Sequence, residues 1–163
     1  MIARFESCEF AVFIPVCVHL INLYLILSCA LMGEKNKRRM YIAYYHRTPT
    51  PSLPAKYHTS LLMVPKNSTM MSKESWRYHV VDRLAMDGDS SEGVWIFEAR
   101  KSYSRSTRLA GVLLLGKVPH SASDQDIETI LRSVPMKGTV AEDPSWRCRH
   151  WVWKALDVSL SLD

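Results

Sequence analysis

The side chains best placed to do chemistry in this chain are one cysteine and two histidines. Cys148 lies in "DPSWRCRHWVWKAL", residues 143–156, which reads as the opening of a helix. Asp143 is a capping residue with Pro144 at the first helical position. Ser145 is the alternative cap, placing Cys148 in the first turn. A helix start carries partial positive charge from its unsatisfied amides, and Arg147 and Arg149 flank the thiol, so its pKa is expected to fall toward a thiolate able to attack an acyl carbon. Such a nucleophile needs a base. His150 is a poor one, because two residues along a helix is about 200° of rotation and the side chains diverge.

The base must therefore come from the strands. His58 sits in "KYHTSLL" and His79 in "RYHVVDR". Alternation puts His58 on one face with Ser60 and Leu62, and His79 on one face with Arg77 and Val81. If those faces coincide, the imidazoles are near neighbours opposite the helix. Asp82 falls on the other strand face from His79 and reads as solvated. Each residue also has a reading without chemistry. Cys148 is then a small buried residue among Trp146, Trp151 and Trp153, and His58 and His79 are hydrogen-bonded sheet residues.

The elements that must position them read as strands followed by helices. "MYIAYYH" (40–46), "YHTSLLMV" (57–64), "WRYHVVDR" (76–83), "GVWIFEAR" (93–100) and "TRLAGVLLLGKV" (107–118) are rich in β-branched, aromatic and other apolar residues and are separated by polar segments, the first three of which carry Pro or Gly. They predict one antiparallel sheet. In "SASDQDIETILRSV" (121–134) the apolar period changes to three and four, with Ser121 or Ser123 as cap and Pro135 as stop. The fold class is thus α+β, about five antiparallel strands with two C-terminal helices.

A histidine on an early strand, a second on the next, and a late cysteine at a helix start in a Cys-x-His-aromatic-Val setting resemble the circularly permuted papain-like superfamily, especially its lecithin retinol acyltransferase-type members. Their helix motif is Asn-Cys-Glu-His-Phe-Val. Here Arg147, Cys148, Arg149, His150, Trp151 and Val152 stand in its place. Residues 40–157 also resemble an uncharacterised group of small fungal proteins with the skeleton "YHT…WRYHV…LLGKV…WRCRHWV". The resemblance implies a permuted papain-like fold with Cys148 as nucleophile, His58 as base, His79 as the third polar member, and helix-start amides as oxyanion donors. Arg147 and Arg149 depart from the motif, so substrate and activity do not transfer with it.

Composition limits the alternatives. A chain of 163 residues with 47% hydrophobic and 23% charged residues is long enough for one globular domain. A net charge of +5 suits anionic surfaces without requiring nucleic acid, and no nucleic-acid recognition motif is present. Residues 1–31 form a separate hydrophobic segment, since the 22 residues from Phe10 to Leu31 hold no Asp, Glu, Lys or Arg and match a bilayer-spanning helix. Residues 32–39 read as a basic linker and 40–163 as the domain. Lys35, Lys37, Arg38 and Arg39 place the domain on the cytosolic side of a membrane anchor. A secretory signal peptide with Ser28 and Ala30 near its cleavage site, or translation from Met32 giving a cytoplasmic domain, are the competing readings.

Three of the four cysteines lie in or beside that segment, so the domain forms no internal disulfide. One cysteine and scattered histidines give no zinc-ligand spacing, and no cofactor is expected. Two function classes follow. One is a thiol hydrolase or acyltransferase acting through Cys148 and His58 on an ester or amide of a small-molecule, lipid or peptide acyl substrate. The other is a non-catalytic papain-like interaction module docked at a membrane or to an acidic partner.

Overall fold

Strand residues that alternate apolar and polar side chains must bury one face, and here that rule builds a sheet with unequal sides. The computed structural model describes residues 38–48, 57–69, 73–87 and 90–160. The helix expected over 10–31 lies outside them. Five strands, β1 (Arg38–His46), β2 (Tyr57–Val64), β3 (Ser75–Asp87), β4 (Ser90–Ser102) and β5 (Leu109–Val118), pair antiparallel in the order β4-β3-β2-β1-β5. Two helices follow, α1 (Asp124–Arg132) and α2 (Cys148–Leu160). The described residues thus form an α+β fold of five antiparallel strands and two C-terminal helices.

The strands run further than the apolar patterning suggests. β3 and β4 form one long hairpin, paired from Ser75 with Ser102 to Asp87 with Ser90, because a backbone ladder propagates regardless of the exposed side chains it carries. Leu84, 72% exposed, is one of these. At the other end, Arg38 and Arg39 are the first residues of β1 and not linker. The Arg38 guanidinium bonds the Asp124 carboxylate and the Ala122 carbonyl, tying the start of β1 to the start of α1.

One face carries Met40, Ile42, Leu61, Met63, Tyr78, Val80, Trp95 and Phe97, packed against Ile127, Ile130 and Leu131 of α1 and Cys148, Trp151, Val152 and Ala155 of α2. This is the main core. α1 starts at Ser123, whose hydroxyl accepts from the Asp126 amide at 3.1 Å while the Asp126 carboxylate accepts from the Ser123 amide at 3.0 Å. The opposite face buries only a small cluster of Ala43, Tyr45 and Leu62, with Tyr41, Val64 and Leu109 against it.

The pairing is uneven too. β1 and β2 are in register from Arg39 with Val64 to His46 with Tyr57, whereas β2 and β3 pair only over Leu61–Met63 with Trp76–Tyr78. Beyond Leu61 these two strands separate, and the site lies in that gap.

Candidate active site

Cys148 is placed by the segment that leads into α2. Between the helices, the Trp95 amide donates to the Gly138 carbonyl at 3.0 Å and the Val140 amide to the Gly93 carbonyl at 2.7 Å, docking the link on the edge of β4. Gly93 is required for this approach, since a Cβ there would lie 2.9 Å from Val140 Cγ2. Trp146 then packs edge-on against Trp95, ring centroids 4.8 Å apart, and fixes where the helix begins.

That beginning differs from the expectation. Asp143 and Ser145 do not cap α2. The Asp143 carboxylate instead accepts from the Ser145 amide at 3.0 Å and hydroxyl at 2.6 Å, closing a separate turn. The helix starts at Cys148 itself, and the Arg147 amide donates to His150 Nδ1 at 2.8 Å. His150, at the third helical position, thus supplies the side-chain acceptor of a capping box, and its orientation is set by the helix start and not by the thiol.

Cys148 is 6% exposed, and its Sγ accepts from the Thr59 amide at 3.4 Å. Thr59 stands just past the end of the β2–β3 ladder, so the thiol meets a donor that lies beyond the paired residues. His58 and His79 come together as well. His58 Nε2 and His79 Nδ1 are 2.7 Å apart, with ring centroids at 4.9 Å and planes at 74°. His79 Nε2 faces Glu98 Oε2 at 3.4 Å without hydrogen-bond geometry, and Glu98 is its cross-strand partner. Glu98 also bonds Arg83 and lies 3.7 Å from Arg100.

The two histidines therefore share a face, but it is the face away from α2. His58 pairs with Tyr45 of the small cluster, while its neighbour Thr59 pairs with Tyr44, which packs on the main core. Cys148 and His58 approach from opposite sides. Both line one cavity of about 30 Å³ at the end of the β2–β3 ladder, together with Arg47, Val80, Asp82 and Trp95. That volume is about the share of one water molecule.

The electrostatics reverse one expectation. Burial pushes the Cys148 thiol up from its ordinary value, outweighing the Thr59 amide, the Arg47 charge and the Arg149 amide, all of which favour the thiolate. The helix start and the arginines do not populate a resting thiolate. Both imidazoles move the other way. His58 is lowered to about 4 by burial and then by Arg77 and Arg47, and His79 to about 3 by burial and then by His58 and Arg77. At neutral pH the site holds a thiol and two uncharged imidazoles.

The chain belongs to DUF6914, a family of unknown function. The match covers residues 37–161, and so includes both histidines, the cysteine and every described element. No curated protein and no solved structure matches the chain. Within the matched region, sequence reasoning missed Glu98, Arg47 and Thr59, and set Asp82 aside. Asp82 is exposed, as expected, yet it lines the thiol cavity and the cleft on the other side of His58. Glu98 had no local signal in the sequence: it faces His79 through the β3–β4 register, and an Asp-Gly turn at Asp87 would have set a different residue there. Among the described residues no group of three or more His, Cys, Asp or Glu could hold a metal ion, and no helix is long and apolar enough to cross a membrane.

Proposed function

We propose that this chain is a thiol-dependent hydrolase or acyltransferase of permuted papain-like type, with Cys148 as nucleophile, His58 as base and His79 orienting His58. The single observation that carries the reading is the cavity shared by Cys148 and His58, with the far nitrogen of His58 held by His79. A base fixed through its second nitrogen presents the first in one orientation. A cysteine opening a helix packed on an antiparallel sheet with strand histidines supports the papain-like likeness; His58 rooted on the far face is a departure from it.

Because the resting groups are neutral, proton transfer accompanies attack. The Cys148 sulfur forms a bond to the carbonyl carbon while His58 takes the thiol proton and the carbonyl electron pair moves to oxygen. Amides at the start of α2 and of Thr59 are the candidate donors to that oxygen. Collapse breaks the bond to the leaving alcohol or amine, which takes the proton from His58. Water or an acceptor then attacks the thioester and gives its proton to His58, the carbon–sulfur bond breaks, and His58 returns that proton to the departing Cys148 sulfur. In this reading residues 10–31 anchor the chain in a membrane with the domain on the cytosolic side; recovery of the full-length chain in the soluble fraction would refute that part.

The test is acylation of the full-length chain by p-nitrophenyl hexanoate, followed at the Cys148 peptide by mass spectrometry, beside iodoacetamide labelling of the same peptide. His58→Ala should slow acylation by about 10²-fold or more. Labelling, which reports the resting thiol, should change little. Equal acylation with and without His58 overturns the dyad. A second reading, the non-catalytic papain-like interaction module, is favoured by one specific observation, the buried thiol with a raised pKa beside a cavity of about 30 Å³. It predicts no acyl-Cys148 at all.

A further inference from the structure

On the far side of His58 lies a second and larger space. A cleft of about 320 Å³ opens on the sheet face away from the helices, lined by Tyr45, Arg47, Arg77, Arg108, Ser106 and His58. Small-ligand sites begin at about this size. Its charge is one-sided, since Asp82 is the one carboxylate among its lining residues. Among the described residues, none of the three arginines forms an ion pair. Glu98, the other nearby acid, is engaged by Arg83, His79 and Arg100.

Arg77 is the most informative of the three. It is half-buried, its guanidinium lies over the Tyr45 ring at 5.2 Å, and its Nε is buried without a hydrogen-bond partner. It stands directly across from Arg100 in the β3–β4 register, a like-charged pair that costs stability. A partly buried cation held beside another cation, with a donor unmatched, is a poor structural arrangement and a good receptor for an anion.

We infer that this cleft binds an oxyanion, a carboxylate or phosphate group, carried by the acyl substrate of Cys148. The guanidinium fork matches either group, with two parallel donors facing two oxygens. Arg77 and Arg47 are half-buried, Arg108 is exposed, and Ser106 adds a hydroxyl. Arg47, His58 and Asp82 line both the cleft and the thiol cavity, so an anion bound here has His58 between itself and the sulfur. The positive field reaches that ring, for Arg77 and Arg47 both depress the His58 pKa. The oxyanion site stands on the cleft alone; its link to an acyl substrate rests on the proposed thiol chemistry.

Two measurements on the full-length chain separate these parts. Phosphate and adipate are titrated calorimetrically into the Cys148→Ala protein, where no acylation intervenes. Saturable binding of either anion is expected, weakened about tenfold or more by Arg77→Gln and by Arg108→Gln. Arg108 is exposed, so its replacement leaves the fold intact. Whichever anion binds more tightly identifies the group, and saturation by neither overturns the site. Acylation of Cys148 by mono-p-nitrophenyl adipate is then compared with that by p-nitrophenyl hexanoate. The adipate ester should react about tenfold faster, with the ratio falling toward one in both arginine variants. Equal rates in the unsubstituted chain overturn the substrate link. Anion binding without any acyl-Cys148 upholds the oxyanion site and sinks the thiol reading.

Discussion

The two faces of the sheet are made by alternate residues of the same strands, yet they do different work. Toward the helices, Ile42, Leu61, Tyr78, Val80 and Phe97 meet Trp151, Ile127 and Leu131 in a continuous apolar core. Away from them, the positions between carry Tyr45, His58, Arg77, His79, Glu98 and Arg100, and the buried apolar cluster is small. The contrast separates stability from chemistry. One face supplies the apolar burial that outweighs chain entropy, and the other holds a polar chain whose groups hydrogen-bond and repel one another. Cys148 belongs to the first face and shares a cavity with His58 of the second where the β2–β3 ladder ends at Leu61.

The sharpest test of this division is truncation on the two faces. Trp151 is fully buried against Phe97, ring centroids 5.4 Å apart, and Trp151→Ala should cost about 3–5 kcal/mol by urea unfolding. Leu62 is just as buried but belongs to the small cluster, whose neighbours Tyr41, Val64 and Leu109 are themselves only partly buried and free to close in. Leu62→Ala should therefore fall at the low end of the core range, about 2 kcal/mol. Equal losses would mean that the second face carries as much of the fold as the first.

Acid should act chiefly on the polar face. His58 and His79 titrate near 4 and 3 in the folded chain, and near 6.5 once unfolded. Between those values the unfolded chain binds more protons, so stability rises with pH across the window and is lost as pH falls from 6.5. With both groups protonated only in the unfolded state, the slope below pH 6 approaches roughly 2–3 kcal/mol per pH unit. His150, whose pKa is also lowered, adds in the same sense. The carboxylates Asp126, Glu142 and Asp143, whose pKa values are lowered, act in the same sense in the ordinary carboxylate range and below it, and leave the upper part of the window to the histidines. Urea unfolding at pH 7, 6 and 5.5 measures it, and His79→Gln should remove about half of the slope. A flat profile would show that the imidazoles are not held neutral by burial.

The sequence made the framework legible and left the meeting point obscure. β-branched and aromatic runs marked all five strands, and Ser121 or Ser123 marked the start of α1, of which the structure selects Ser123, because those signals are local. Alternation gave each histidine its companions on its own strand, but that the two faces coincide came only from the structure. Which face α2 covers did not follow from alternation either, since a helix can lie on either side of a sheet and the choice depends on the whole pattern of burial. The parting of β2 and β3 has no signature in either strand. The thiol was misjudged for a related reason. The charges expected to favour a thiolate, Arg147, Arg149 and the helix start, are neighbours in sequence, while the residues that bury the thiol beside its cavity, Val80 and Trp95, lie far along the chain.

The smallest expected effect distinguishes the third histidine near Cys148 from the two on the sheet. His150 lies two residues from the thiol, and sequence proximity alone would make it the base. Its Nδ1 is occupied by the Arg147 amide at 2.8 Å, which makes it a cap on α2. Its place is on the helix side, in a surface groove with Asp143, Trp153 and Asp157, and not in the thiol cavity. His150→Ala should cost about 1 kcal/mol of stability, the usual worth of a cap. His150→Gln, which offers an acceptor at the third helical position, should recover most of it. Acylation of Cys148 should fall far less in either variant than in His58→Ala. A loss in His150→Ala as deep as in His58→Ala, unrepaired by Gln, would move the base from the far face of the sheet to the helix and dissolve the division between the two faces.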